Sequence, residues 1–239
     1  MKRKIIQLAD TTQAITIPRE FALNNELKKG DYVNVEIINN SLVIKNNNNI
    51  DSKIELNFEN LSQDLIWRHL ITAYRKGVNI ITISYSDKEE LSIIQSLVKD
   101  LIGMTIIKKG SNKVIVQDIF NKHDINIKEI ISRIFALLIE ESEEVLNFLN
   151  KKDNSITADD INLIDYNINK FTNLILRILN KYGYYDYEKI LSLYKTLSLL
   201  EEIGDEYRRI ANVNSRIKNI KVDKEILSCF NEINLLLKD

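Results

Sequence analysis

The chain has 239 residues, 33 Lys+Arg against 34 Asp+Glu, a formal net charge of −1, and 44% apolar residues, enough to build a core and to exclude wholesale disorder. Six Gly and one Pro are too few turn residues for an all-β chain, so a largely helical body is expected. One cysteine, Cys229, and two histidines leave no disulfide framework, no Cys-rich zinc site and few nucleophile–base pairs, so an enzyme is not expected.

The first 45 residues predict a small β-rich unit. Lys4–Leu8 and Ala14–Ile17 look like short strands around the turn Asp10-Thr11-Thr12. Pro18 ends the second strand and starts a short helix, Arg19–Asn24. A Gly-Asp turn at Gly30-Asp31 leads into the strands Tyr32–Ile37 and Ser41–Ile44. Roughly 45 residues is too short for an independent core, so the unit should need a partner chain. Its seven basic and five acidic side chains give it a net charge of +2, with Lys2, Arg3 and Lys4 at the tip. No apolar h-region follows that tip, and no run approaches the ~20 apolar residues of a membrane span. A cytoplasmic protein without membrane insertion is expected.

The run Asn46-Asn47-Asn48-Asn49 disfavours helix and strand interiors, and residues 46–57 read as a linker. Residues 58–119 alternate helix and strand. Leu65, Ile66, His69, Leu70, Ala73 and Tyr74 lie at helical spacing before Gly77, and Val78–Tyr85 is a β-branched strand. A helix from Ser86-Asp87 to Leu101 precedes a hairpin of Met104–Lys109 and Lys113–Asp118, which together suggest a small α/β sandwich. Residues 120–239 read as helices at about 126–150, 157–182, 186–218 and 223–238, with short joints that predict an antiparallel up-down bundle. The fold class is a multidomain α+β chain.

Two helices of the bundle carry matched oxygen pairs. One has an apolar stripe through Leu193, Leu197, Leu200, Gly204, Tyr207 and Ala211, with Glu201 and Asp205 to its side at i and i+4. The other has the stripe Ile161, Ile164, Ile168, Phe171 and Ile175, flanked by Asp165 and Asn169. Oxygen-only clusters suit hard or first-row metals, but the same residues also fit a solvated flank of like charges. Glu202 and Glu206 lie opposite the stripe and read as solvated. His69 reads as a structural side chain on the apolar side of its helix and His123 as solvent-facing. Cys229 reads as a small hydrophobe packed among Ile226, Phe230 and Ile233. Tyr182, Tyr184, Tyr185 and Tyr187 crowd one joint, as a packed corner or as an exposed surface.

The string ITIPRE followed by LKKGDYVNVEI, within residues 3–45, resembles the AbrB/SpoVT swapped-hairpin DNA-binding domain. That resemblance implies a homodimer whose two chains exchange hairpins to close one β-barrel, which answers the missing core. It also implies that double-stranded DNA is contacted by Arg3, Lys4 and Arg19, with Lys2 and Thr12. Asp10 departs from the family's usual Gly-Ser-type turn and opposes phosphate contact there. The strings LEEIGDEYRRIA and IDYNINKFTNLILR resemble the metal-motif helices of PhoU phosphate-uptake regulators, and LIGMTIIKKGSNKVIVQDI resembles the segment before the bundle in archaeal AbrB–PhoU fusions. The PhoU-like resemblance implies a divalent or ferric ion on Asp165, Asn169, Glu201 and Asp205, although Asn169 replaces a family aspartate. It also implies a phosphate-transporter or signalling-kinase partner.

Three readings follow. The first is a DNA-binding transcriptional regulator of the phosphate-uptake type, with the helical body as sensor or docking domain. The second is a protein-binding adaptor whose barrel only dimerises. The third is an antitoxin-like autorepressor, opposed by the long structured body.

Overall fold

The computed structural model describes residues 1–38, 41–46, 52–119, 126–150, 156–183, 189–216 and 222–238. The chain forms two compact units, Met1–Ile50 and Asp51–Asp239.

The first unit is two hairpins joined by a short helix. Strand β1 (Ile6–Gln7) pairs antiparallel with β2 (Gln13–Ala14), and β3 (Val33–Ile38) pairs antiparallel with β4 (Ser41–Asn46). Helix α1 (Arg19–Asn24) starts directly after Pro18, as the sequence predicts. Both first-hairpin strands are shorter than expected, two residues each: the pairing stops at Ile6–Ala14 at the open end, and at the tip side-chain and turn bonds replace it from Leu8 on. The Leu8 and Ala9 amides donate to the Thr12 carbonyl, and the Gln7 side chain donates to the Asp10 carbonyl at 3.2 Å. At the second turn Gly30 takes φ +99, and the Asp31 carboxylate accepts from the Lys28 amide at 2.7 Å. One chain closes no barrel: its strands lie in separate two-stranded sheets.

The second unit begins inside the segment assigned to the linker. Residues Lys53–Asn57 form a strand, β5, because Ile54 and Leu56 alternate with Lys53, Glu55 and Asn57. It pairs parallel with β6 (Ile80–Ser84), and helix α2 (Gln63–Arg75) makes the crossover between them. Helix α3 (Lys88–Lys99) is capped by Asp87, whose carboxylate accepts from the Glu89 and Glu90 amides. The hairpin β7 (Met104–Lys109) and β8 (Lys113–Asp118) falls where the sequence places it, and the sheet order is β5-β6-β8-β7. Ile81, Ile83, Val114 and Val116 turn to the buried face against Ile66, Leu70, Tyr74, Ile94 and Val98 of the helices.

Helices α4 (Ile127–Asn150), α5 (Ala158–Tyr182) and α6 (Ile190–Arg216) pack on one another, and α7 (Lys224–Lys238) lies against α4. A Thr157–Asp160 capping box starts α5. The core repeats at three- and four-residue intervals: Ile134, Leu138 and Val145 on α4, Ile161 and Ile168 on α5, Leu197, Leu200, Tyr207 and Ala211 on α6. It forms two apolar clusters, one on either side of a polar layer.

The sheet and the bundle are joined through Arg177 of α5, which is 3% exposed. It donates to the carbonyls of Tyr74 (2.7 Å) and Val78 (2.8 Å) and to the Asp118 carboxylate (2.6 Å). Its guanidinium also lies 4.8 Å from the Tyr74 ring centroid. Lys181 adds a second ion pair to Asp118 at 2.6 Å.

Two minor expectations are corrected. His69 is exposed and meets Phe58 at a ring distance of 6.3 Å; the buried line of α2 runs instead through Ile66, Leu70, Ala73 and Tyr74. Cys229 is exposed, because the inward line of α7 passes through Phe230 and Asn234, about 100° away on the wheel. His123, Tyr184, Tyr185 and Tyr187 lie outside the described residues.

Replacing Arg177 by Met should take one buried donor from each of the Tyr74 and Val78 carbonyls and one cation from Asp118. The expected cost is about 3–5 kcal/mol in a urea unfolding curve. A loss well under 1 kcal/mol would mean that the junction is held by apolar packing alone.

Candidate functional site

The sequence marks two places. In the first unit Lys2, Arg3, Lys4, Thr12 and Arg19 are all exposed. None of the four basic side chains has an ion-pair partner among the described residues. The β1–β2 pairing ends at Ile6–Ala14, so Arg3 and Lys4 lie just beyond its open end, the end from which the chain continues through Pro18 to Arg19. Thr12 belongs to the turn at the far end of the same hairpin, about 13 Å along the strand from Lys4. Arg3, Lys4 and Arg19 thus share one end, and Thr12 does not join them within a single chain.

The apolar side chains of this unit are at most partly covered. No residue with a described side chain is buried there. Tyr32 is 87% exposed, Ile37 81%, Leu8 68% and Ile5 67%. At ~25 cal/mol per Å2, leaving several large aliphatic side chains in water forfeits several kcal/mol in so short a chain.

The second place lies in the bundle, in the polar layer between the two apolar clusters. Glu141 falls between Leu138 and Val145 of α4, Asp165 between Ile161 and Ile168 of α5, and Gly204 between Leu200 and Tyr207 of α6. All three are buried. A Cβ built on Gly204 would meet Glu141 Oε2 at 3.2 Å and Asp165 Oδ1 at 3.3 Å, so the missing side chain is the space the two carboxyls use. Asp165 Oδ2 contacts Arg208 Nε at 3.0 Å and accepts from the Asn169 amide at 3.2 Å. Arg208 also donates to Asp205 at 2.6 Å. Both Glu141 oxygens and Asp165 Oδ1 are buried without a hydrogen-bond partner.

Of the four sequence-assigned ligands, Asp165, Asn169 and Asp205 therefore meet around Arg208, and Glu201 turns to Arg75 at 3.4 Å. A guanidinium already compensates the carboxylates, and Asn169 offers its NH2 rather than its oxygen to the cluster. Among the described residues no group of three or more His, Cys, Asp or Glu side chains is arranged to hold a metal ion. As placed, these donors do not fit one. Sequence reasoning missed Glu141 and Arg208. The signal for Glu141 was its seam position, seven residues after Ile134 and four before Val145.

Burial pushes the Glu141 carboxyl up from its ordinary 4.5 to about 9, with Asp165 adding to the rise and Arg208 opposing it. Burial likewise raises Asp165 to about 6, against the pull of Arg208. Glu201 is raised by burial and held back by Arg75.

Comparison with known proteins bears on the first unit alone. Residues 6–51 match the family described as Antidote-toxin recognition MazE, bacterial antitoxin. Those residues carry a MazE/AbrB-like domain. No curated protein and no solved structure matches the chain. The phosphate-uptake likeness of the helical body thus has no support beyond its own strings.

A carboxyl whose pKa is higher in the folded than in the unfolded chain carries its extra proton only when folded. Stability then falls as pH rises through the interval between the two values. For Glu141 that interval runs from 4.5 to about 9. Glu141→Gln removes the titrating group and keeps the shape. In a chelator-containing buffer, the parent should lose thermal stability steadily from about pH 5 to about pH 9, whereas the variant should level off above about pH 6, where Asp165 has titrated, and end more stable by about 1–3 kcal/mol. Parallel pH profiles would show that Glu141 is charged at neutral pH in the folded chain.

Proposed function

We propose that this chain is a DNA-binding regulator that works as a homodimer through its N-terminal domain, with residues 51–239 as a sensing or docking body. The observation that carries the reading is a coincidence: the stretch that matches the MazE family is the one in which no described side chain is buried and many large apolar side chains lie open. A second copy supplies the missing cover, since each chain offers two short hairpins with free edges. The dimer brings two copies of Lys2, Arg3, Lys4 and Arg19 to one assembly, and their release of counterions supplies affinity for duplex DNA. Hydroxyl and backbone donors, Thr12 among them, set register on the backbone. Thr12 acts there as part of the opposing chain's surface, because within one chain it stands apart from the basic end.

The printed description of the matched family favours a second reading, an antitoxin. What weighs against it is the body itself, a sheet with two covering helices and a four-helix region with their own apolar cores. Such a body is folded without a toxin to wrap. No helix among the described residues is long and apolar enough to cross a membrane.

The test is fluorescence anisotropy on duplex DNA from the gene's own upstream region, across a salt series. The parent should bind with a steep salt slope, and Arg3→Ala/Arg19→Ala should weaken binding and flatten that slope by roughly 3.6, for two lost phosphate contacts in each chain of the dimer. Unchanged affinity and slope in the double variant, with the dimer intact, would make the domain a dimerisation device alone.

A further inference from the structure

Helices α2 and α5 are bonded at one end only. The Arg177 bonds to the Tyr74 and Val78 carbonyls, the Asn180 bond to the Arg75 carbonyl and the Arg75 bond to Asn173 all fall at the C-terminal end of α2. Along α2 from Gln63 to Arg75 a cleft of about 580 Å3 is lined by both helices. Leu97 and Asp100 of the α3 end and Glu201 and Asp205 of α6 complete its walls. That size is within the roughly 300–1,000 Å3 range of small-molecule sites. On one side the Tyr166 hydroxyl donates to Asp100 and closes the gap between α5 and α3.

The charges lining this cleft divide into engaged and free. Glu201 is paired with Arg75, Asp205 with Arg208, and Asp100 accepts from Tyr166. Arg68 on α2 and Lys170 on α5 have no carboxylate partner among the described residues. Lys170 rests instead 5.2 Å over the Tyr166 ring. Asp64 is the one uncommitted carboxylate among the described lining residues. Two free cations on separate walls against one free carboxylate leave the uncommitted charge positive and suit an anion, best one that accepts the planar Arg fork and a Lys together. Beside Arg68 stands half-buried Trp67, which lines the same cleft and is the chain's single tryptophan. The third feature is a set of uncommitted acceptors: Asp64 in the first turn of α2, and Asn169 Oδ1, which is buried without a hydrogen-bond partner. An anionic head, a flat ring and hydroxyl donors between them describe a nucleotide.

We propose that this cleft binds a mononucleotide, with the phosphate between Arg68 and Lys170, the base against Trp67 and the sugar hydroxyls on Asp64 and Asn169. The site belongs wholly to residues 51–239, so it stands or falls independently of DNA binding by residues 1–50. An inorganic anion satisfies the two cations but leaves the ring wall and the acceptors unused. A neutral nucleoside does the reverse.

The test uses the full chain and the fluorescence of Trp67, with calorimetry in parallel, titrated with adenosine monophosphate, adenosine and inorganic phosphate. Adenosine monophosphate should give a saturable change below about 1 mM, with each fragment weaker by about ten-fold or more. Arg68→Gln/Lys170→Gln changes solvent-facing positions, so circular dichroism and the melting midpoint should match the parent. Its affinity for the nucleotide should drop by about ten-fold or more, to the level of adenosine. Three results would overturn the proposal: no saturable signal or heat up to about 1 mM, inorganic phosphate binding as tightly as the nucleotide, or a double variant with parental affinity.

Discussion

The Arg177 guanidinium, buried between sheet and bundle, sets the arrangement of residues 51–239. Three of its donor bonds reach across to the α/β segment, two to main-chain carbonyls and one to a carboxylate that is itself 4% exposed. A buried cation is costly to desolvate and becomes affordable only when its donors are filled in this way. The approach it enforces is close. Gly77, just past the end of α2, has φ +82, and a Cβ there would stand 2.7 Å from the Cβ of Lys181. Any other residue at 77 would be strained in backbone and would push α5 away. The α2–α5 pair pinned in this way also lines the cleft that holds Trp67, Arg68 and Lys170.

The bundle contains a second constraint of the opposite kind. Glu141, Asp165 and Gly204 occupy seam positions that an apolar core would fill with Leu or Ile, and the two carboxyls share the space Gly204 vacates. Sliding any one helix by a turn would press a carboxyl against Leu200 or Tyr207 instead of glycine. The layer therefore costs stability and selects one register, in the manner of a polar residue at a coiled-coil seam. Its charge is balanced on one side by Arg208, and on the other side by the proton that burial keeps on Glu141.

Most elements were legible because their signals are local. The hairpin Met104–Lys109 and Lys113–Asp118, the helix Arg19–Asn24 after Pro18, and the inward stripe of α6 through Gly204 all stand where periodicity and turn residues put them. Strand β5 was lost in the linker because five residues with two apolar side chains carry little signal without their parallel neighbour. The carboxylate cluster was half legible. Asp165, Asn169 and Asp205 could be grouped from helical spacing, but Arg208 folds back onto them from three residues further along α6, and Glu141 arrives from a helix read only for its length. The cleft was not legible at all, since its walls come from four helices whose junction depends on Arg177.

The first unit presents the plainest physical problem, a folded hairpin pair with no interior. Ile5, Leu8, Leu23, Tyr32 and Ile37 are each more than half exposed, and the match to a MazE/AbrB-like domain covers this stretch. Burial by a second copy of the chain resolves that problem and doubles the exposed basic set in one step. The most direct measurement is amide hydrogen exchange over residues 6–46 of the full chain, read against sedimentation at a series of protein concentrations. Completion by a second copy requires that protection of these amides rise together with the dimer fraction and vanish in dilute monomer. Full protection in a chain that sediments as a monomer would contradict it.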